Sequence, residues 1–242
     1  MTILLTGAGG VLGKEIKKIF PECISPTHNE LDIRERNSVL EFIKREKITE
    51  IIHTAAVASI RLCEEERLKA WQTNIEGTRN LSDALKLHSK ESYFAYISTA
   101  CVFRGDENIY SEESVPYPVN FYALTKLIGE TIVQSIPNHL IIRPNFVGKK
   151  KWPYKRAFTD RFGTYLFADD VAKGVKEMYG SHQKGTLHLV GDKIISMYEL
   201  AKMTTPETEP MSLTDYSGPH LTVNMSLDSK KWKKYKISQY HA

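Results

Sequence analysis

The sequence predicts an α/β protein, a parallel sheet with helices on both faces and a small lobe at its C-terminal end. Three observations predict it. Short apolar runs alternate with amphipathic stretches from Thr2 to Ile142. No short hairpin turn joins one run to the next. The first run passes directly into glycines that open a helix. Strands connected only through helices pair in parallel. Right-handed crossovers then give a doubly wound, Rossmann-type sheet.

Each element has its own warrant. Thr2-Ile3-Leu4-Leu5 has the length of a strand, and Val11, Leu12, Ile16, Ile19 and Phe20 follow at helical spacing. Cys23-Ile24-Ser25 is a weak second strand that Pro26 ends. Ser38 to Lys47 sets Val39, Leu40, Phe42 and Ile43 on one helical face, and Ile51-Ile52-His53 is a third strand. One long helix is expected from Glu64 to Leu87. Tyr93 to Ile97 reads as a fourth strand, Phe121 to Ile136 as a helix and Leu140-Ile141-Ile142 as a fifth strand. Beyond Arg143-Pro144 the alternation breaks. Lys149, Lys150, Lys151, Lys155 and Arg156, with Trp152 and Tyr154 between them, form either a solvated loop or one that meets a phosphate. Asp169 or Asp170 can cap a helix to about Tyr179. Thr186 to Val190 reads as a strand, and Ser196 to Glu199 is a capping box. Residues 1–148 are therefore expected to form the dinucleotide-binding domain and 149–242 a small substrate lobe, some of whose segments return to the sheet.

Composition narrows the class of function. The chain has 242 residues, 41% hydrophobic and 26% charged, with a net charge of +4. That is an ordinary globular balance, long enough for a sizeable core. The charge is too mild to argue for nucleic acid, and it suits anionic small substrates. No apolar run reaches the roughly 18 residues of a membrane span, and a strand starting at Thr2 leaves no room for a signal peptide. Cys23, Cys63 and Cys101 are scattered, which implies neither a disulfide framework nor a metal site. A cytoplasmic protein is the expectation, and a homodimer is admissible.

Gly7, Gly10 and Gly13 carry the first chemical signal. They sit at a strand–turn–helix junction in GxxGxxG spacing, with Val11 and Leu12 opening the helix. Such a turn either closes with no ligand or lets a pyrophosphate approach the backbone and the helix N-terminus. Asp32, with Ile33 beside it, stands 19 residues after Gly13. It can reach the adenosine of a dinucleotide or cap the next segment. Tyr122 and Lys126 are four apart and share a helix face. An ammonium near a phenol favours the phenolate, which makes the pair a workable general acid/base. Ser98-Thr99 follows the fourth strand, at the end where ligands of such sheets bind. Thr99 can hold the reacting oxygen while Tyr122 passes the proton.

On these residues the chain resembles an extended short-chain dehydrogenase/reductase over nearly its whole length. Ile52 to Ala56 is similar to that family's alanine-rich segment, which puts Ala55 and Ala56 beside the cofactor. Asn74, Gly77, Thr78, Asn80 and Leu81 resemble its NxxGTxNL helix, which implies that Asn74 also serves cofactor binding. Glu30 to Ile33, Asn120 to Glu130, and Phe162-Gly163-Thr164 before Phe167 to Ala172 resemble the dTDP-4-dehydrorhamnose reductase branch. The resemblance implies NADP or NAD as cofactor and reduction of the C4 ketone of a 4-keto-6-deoxy nucleotide sugar, as in rhamnose biosynthesis. His28 stands where an arginine often meets a 2′-phosphate, so the choice of cofactor stays open.

Two further departures matter. Ser98-Thr99-Ala100-Cys101 lacks the branch's aspartate after the threonine, which argues against a 4,6-dehydratase. Cys101 resembles the cysteine of GDP-fucose synthase and the nucleotide-rhamnose epimerase/reductases, which implies a bifunctional 3,5-epimerase/4-reductase as one alternative. The other reading of Cys101 is a small apolar residue. His182, His188, Lys149, Lys151 and Lys155 are the candidates for an opposing acid. The segment between Gly148 and Phe162 is short for a loop that encloses sugar and nucleotide. The β subunit of methionine adenosyltransferase resembles the same branch, so a non-catalytic, NADP-binding regulatory subunit is the second alternative. His53, Trp71 and Tyr117 are expected to be packing residues.

Overall fold

Apolar runs buried on both sides require a helix layer on each face, and the chain folds that way. The computed structural model describes residues 1–89 and 91–240. In chain order its elements begin β1 (Ile3–Thr6), α1 (Val11–Ile19), α2 (Arg36–Arg45), β2 (Glu50–His53), α3 (Ile60–Glu65), α4 (Arg67–Trp71), α5 (Gly77–His88), β3 (Tyr93–Ile97), α6 (Phe121–Val133) and β4 (His139–Pro144). They continue with β5 (Phe146–Val147), β6 (Arg156–Phe158), β7 (Phe162–Gly163), β8 (Leu166–Phe167), α7 (Ala168–Gly180), β9 (Gly185–Leu189), β10 (Ile195–Ser196), α8 (Met197–Lys202), β11 (Glu209–Met211) and β12 (Asn224–Met225).

The main sheet runs β1-β2-β3-β4-β9, all parallel. Successive side chains alternate between its faces. Leu4, Ile51, Phe94 and Ile141 pack towards α2 and α5. Leu5, Ile52, Ala95 and Ile142 pack towards α1 and α7. The expected strand at Cys23–Ser25 reduces to a single parallel bridge, Leu4 with Ile24. Its ladder is Leu5 N–H to Ile24 O and Ile24 N–H to Ile3 O. Pro26, which has no N–H, cannot extend it. The chain thus passes to one side of β1 after α1 and to the other after α2. The glycine turn sits at this reversal, where such sheets open a crevice.

The long helix expected from Glu64 is broken. Glu66 leaves helical geometry (φ −119°, ψ 55°) between α3 and α4, and a π-helical turn at Gln72–Glu76 separates α4 from α5. The wider turn carries Asn74 inward, where its amide bonds Val57 and Thr125. The capping expectation at Asp169 or Asp170 also needs correction. α7 already starts at Ala168, with Phe167 as N-cap and no side-chain cap, and both aspartates lie in its first turn. There they favour the helix dipole. Ser196 does form its capping box with Glu199.

After Gly148 the chain returns to the sheet through α7, which packs on α1, and through β9, which pairs with β4. The remaining short strands, β10-β7-β12, β11-β6 and β5-β8, build a lobe over the C-terminal strand ends. Its core joins Val102, Phe103, Tyr110, Tyr165, Phe167, Leu200 and Met225. Of the three expected packing residues only His53 is one, with Thr6 Oγ1 2.6 Å from Nδ1 and Thr78 Oγ1 2.9 Å from Nε2. Trp71 and Tyr117 are exposed, and Arg104 lies over the Tyr117 ring.

Candidate active site

The glycine turn is dictated by space. Gly7 has φ +74°, and a Cβ there would stand 2.6 Å from Ala55 N. A Cβ on Gly13 would stand 2.0 Å from Gly7 O, so nothing larger than hydrogen lets α1 start against the turn. Gly10 is the N-cap of α1 and offers no side chain to its first-turn N–H groups. Those donors, with the positive end of the helix dipole, are suited to an anion. The cradle therefore fits the pyrophosphate of a dinucleotide.

Beside the turn lies a cavity of about 390 Å³, lined by Gly7, Gly10, His28, Asp32, Ile33, Arg34 and Ala55 among others. Asp32 accepts from Arg34 Nε at 2.9 Å and Nη2 at 2.6 Å, and this pairing holds its carboxyl below the usual carboxylate range. His28 Nε2 is 3.6 Å from the same carboxylate. Arg34 had no signal in the sequence beyond its place after Asp32-Ile33, yet it brings a guanidinium to this cavity.

A second cavity, of about 400 Å³, contains Gly10, Val11, Leu12, Gly13, Ala56, Thr99, Cys101, Tyr122 and Lys126 in its lining. Tyr122 and Lys126 come from the start of α6, which Asn120 caps by accepting from Ala123 N–H at 2.9 Å. Thr99 follows β3 and caps a 3-10 turn over Ala100–Val102, its Oγ1 accepting from Cys101 N–H at 3.1 Å. Thr99 and Cys101 therefore share the cavity through a turn, not through the alternation of a strand. Ser98 is committed elsewhere. Its hydroxyl donates to Glu130, which forms a buried ion pair with Arg143 at 2.7 Å. Both residues line the cavity, and of the two hydroxyls Thr99 is the one not bound to Glu130.

The electrostatics differ from the sequence expectation. Burial pushes the Tyr122 phenol up, with Cys101 adding to the rise and the Thr99 hydroxyl opposing it. Lys126 does not offset this. Burial pulls its ammonium down to about 7, and Nζ lies 4.1 Å over the Tyr96 ring. Desolvation of both groups outweighs the charge effect anticipated from their spacing.

Most of the sequence-predicted residues meet in these two adjoining cavities. Asn74 does not. It is 1% exposed and lies behind the wall, tying Val57 to Thr125, so any effect on a ligand is through the wall it holds. The candidates for an acid opposite Cys101 also fall away. His182 stacks by its edge on Tyr93, at the far end of β3. His188 packs on Phe103, with Asp228 O 2.8 Å from its Nδ1. Lys149, Lys151 and Lys155 pair with Asp169, Glu207 and Glu209. Asn145, Arg161, Tyr165, Met197 and Met225 also line the second cavity, without a motif in the sequence that marks them. Arg161 and Tyr165 flank the recognised Phe162-Gly163-Thr164, whereas Met225 comes from a tail with no pattern to read.

A doubly wound sheet with a glycine turn at its reversal, a helix bearing Tyr122 and Lys126, and a small lobe above defines an extended short-chain dehydrogenase/reductase. The model of one branch, described as the RmlD substrate binding domain, matches residues 1–217, and the chain belongs to that family. It is 28% identical over 226 residues to a dTDP-4-dehydrorhamnose reductase of Aggregatibacter actinomycetemcomitans, covering 82% of this chain and 76% of that one. It is 26% identical over 281 residues to methionine adenosyltransferase 2 subunit beta of Pongo abelii, covering 98% and 83%. The fold matches the crystal structure of a Bacillus anthracis dTDP-4-dehydrorhamnose reductase in complex with NADP, with a TM-score of 0.88, 23% identity, and 99% and 96% coverage. No helix among the described residues is long and apolar enough to cross a membrane.

Proposed function

We propose that this protein is an NAD(P)H-dependent reductase of the C4 ketone of a 4-keto-6-deoxy nucleotide sugar. The observation that carries the reading is the shared cavity: Thr99, Tyr122 and Lys126 line the same space as the uncapped N-terminus of α1. The first-turn N–H groups and Gly7, Gly10 and Gly13 hold the pyrophosphate, and the cavity of Asp32, Ile33, His28 and Ala55 takes the adenosine. A reduced nicotinamide supplies the hydride when bound. Thr99 Oγ1 orients the carbonyl oxygen, and Tyr122 delivers its phenolic proton to that oxygen as negative charge develops. Lys126 holds the nicotinamide ribose. The raised phenol suits an acid, because Tyr122 keeps its proton until the alkoxide forms. The named reductases among the relatives support the same reaction class.

The test is NADPH and NADH oxidation, followed by absorbance, with dTDP-4-keto-6-deoxyglucose offered alone and with a 3,5-epimerase. Turnover only with the epimerase supports a simple reductase. Turnover without it supports direct reduction where the product keeps its configuration at C3 and C5, and the bifunctional reading where both are inverted, for which Cys101 in the cavity wall is the motivating residue. The likeness to methionine adenosyltransferase 2 subunit beta favours a third reading, a cofactor-binding subunit without turnover. Tight NADPH binding with no oxidation in either arm would select it.

A further inference from the structure

One wall of the reaction cavity presents donors without acceptors to match. Arg161 is 8% exposed and lines the cavity. Its Nε donates to Thr222 O at 3.0 Å, but Nη1 and Nη2 face only the thioether sulfurs of Met197 at 3.8 Å and Met225 at 3.4 Å. Thioethers are weak acceptors, and no carboxylate among the described residues pairs with this guanidinium. Buried Arg143, by contrast, has a carboxylate beside it: Glu130 accepts from its Nε at 2.9 Å and from its Nη2 at 2.7 Å, and only Nη1 is left without a partner. A buried charge without a counter-ion is costly. Two neutral groups in the same wall share the deficit: the Tyr165 hydroxyl, on a residue 2% exposed, and the Asn145 amide nitrogen are both buried with no partner beyond each other. They adjoin, since a Cβ built on Gly163 would meet Asn145 Nδ2 at 2.3 Å and Tyr165 Cζ at 3.0 Å. A ligand that satisfies all three must be acceptor-rich and negative.

Its place along the substrate follows from Met225. The sulfur that faces Arg161 also lies 3.4 Å from Cys101 Sγ, and Cys101 is two residues beyond Thr99. Arg161 therefore adjoins the end of the cavity where the keto-sugar reading puts the reacting ring. We propose that Arg161, Tyr165 and Asn145 form a carboxylate subsite, so that the substrate is an acidic sugar nucleotide with its carboxylate on a substituent of the keto-sugar ring. A guanidinium can engage both carboxylate oxygens at once. The proposal rests on the sugar-nucleotide reading of this cavity and deepens it: it keeps the C4 ketone and releases the 6-deoxy condition, since a uronate carries its carboxylate at C6.

The test is calorimetric titration of the full chain, saturated with NADPH, with two acid and neutral pairs: UDP-glucuronate against UDP-glucose, and UDP-N-acetylmuramate against UDP-N-acetylglucosamine. UDP alone is the fifth probe. Wild type should prefer at least one acid over its neutral counterpart by about tenfold or more, the scale of a desolvated charge pair. Arg161→Met should erase that preference while leaving UDP affinity unchanged. Tyr165→Phe, which removes only the hydroxyl, should reduce the preference in a protein whose packing is intact. Equal or absent binding of the acids and their neutral counterparts overturns the proposal. So does an acid preference that survives Arg161→Met, or an equal loss for UDP, which would mean a diphosphate contact instead. Keto-sugar reduction without acid preference would leave the reductase reading standing and this subsite refuted.

Discussion

Replacing Gly13 by alanine adds one methyl group where the structure has no room. The new Cβ would lie 2.0 Å from Gly7 O, 2.7 Å from Gly7 C and 2.9 Å from Ala8 Cα, where ordinary contact begins near 3.4 Å. All three neighbours are backbone atoms of the turn, so no side chain can swing aside. Either α1 withdraws from the turn or the turn opens towards the ligand. Overpacking of this kind costs about 1–3 kcal/mol. If the cradle deforms by that amount, cofactor affinity falls by roughly five- to 150-fold, since about 1.4 kcal/mol is a factor of ten. Gly9 supplies the internal control, because a Cβ there meets nothing within 4 Å, and Gly10 the intermediate case, at 3.2 Å from Gly7 O. Urea denaturation and calorimetric titration with NADPH and NADH on the three alanine variants should rank Gly9, Gly10 and Gly13 in rising order of damage. If Gly13→Ala matched Gly9→Ala in both measurements, neither the close-approach argument nor the pyrophosphate site would survive.

Tyr122→Phe should lower kcat by about 10²–10⁴-fold, the usual loss for a general acid, and leave the NADPH Kd nearly unchanged. Lys126→Ala should weaken both, and a pure kcat effect would contradict its contact with the ribose. Cys101→Ala should reduce a pre-epimerised keto-sugar within a few-fold of wild type, and wild type without cofactor in heavy water should place no deuterium at C3 or C5. Wash-in lost with Cys101 would instead establish the epimerase. Burial pulls His53 down to about 3 and His188 to about 4, whereas unfolded imidazoles titrate near 6.5. The unfolded chain then binds protons that the native one refuses, so stability should be full above about pH 6.5 and fall towards pH 4. A urea midpoint that is flat between those limits would contradict the buried neutral imidazoles.

The parts legible in the sequence are those that local physics alone determines. Gly7 and Gly13 are readable because only glycine fits a turn that meets both Ala55 and the start of α1. Tyr122 and Lys126 are readable because helical spacing fixes their shared face. Ser196 announces its helix because the capping box is a four-residue interaction. What escaped depends on contacts distant in the chain. The π-helical turn at Gln72–Glu76 follows from Asn74 reaching Thr125, 51 residues away. Cys23–Ser25 has strand composition, yet only Ile24 finds a partner on β1. Met225 reaches Arg161 across 64 residues, from a tail that carries no periodicity. The rise of the Tyr122 phenol is not legible, because spacing reveals the neighbouring ammonium but not the depth at which both groups are buried.

Transfer of deuterium from the nicotinamide to the sugar tests the reductase claim most directly. NADPH deuterated at C4 on both faces would be incubated with the protein and a 3,5-epimerised dTDP-4-keto-6-deoxyhexose, and the product examined by NMR and mass spectrometry. One deuterium bound at sugar C4, formed at the rate of NADPH oxidation and lost in Tyr122→Phe, is the predicted result. Full cofactor binding with no deuterium in the sugar would contradict it and leave a protein that holds its dinucleotide without using the hydride.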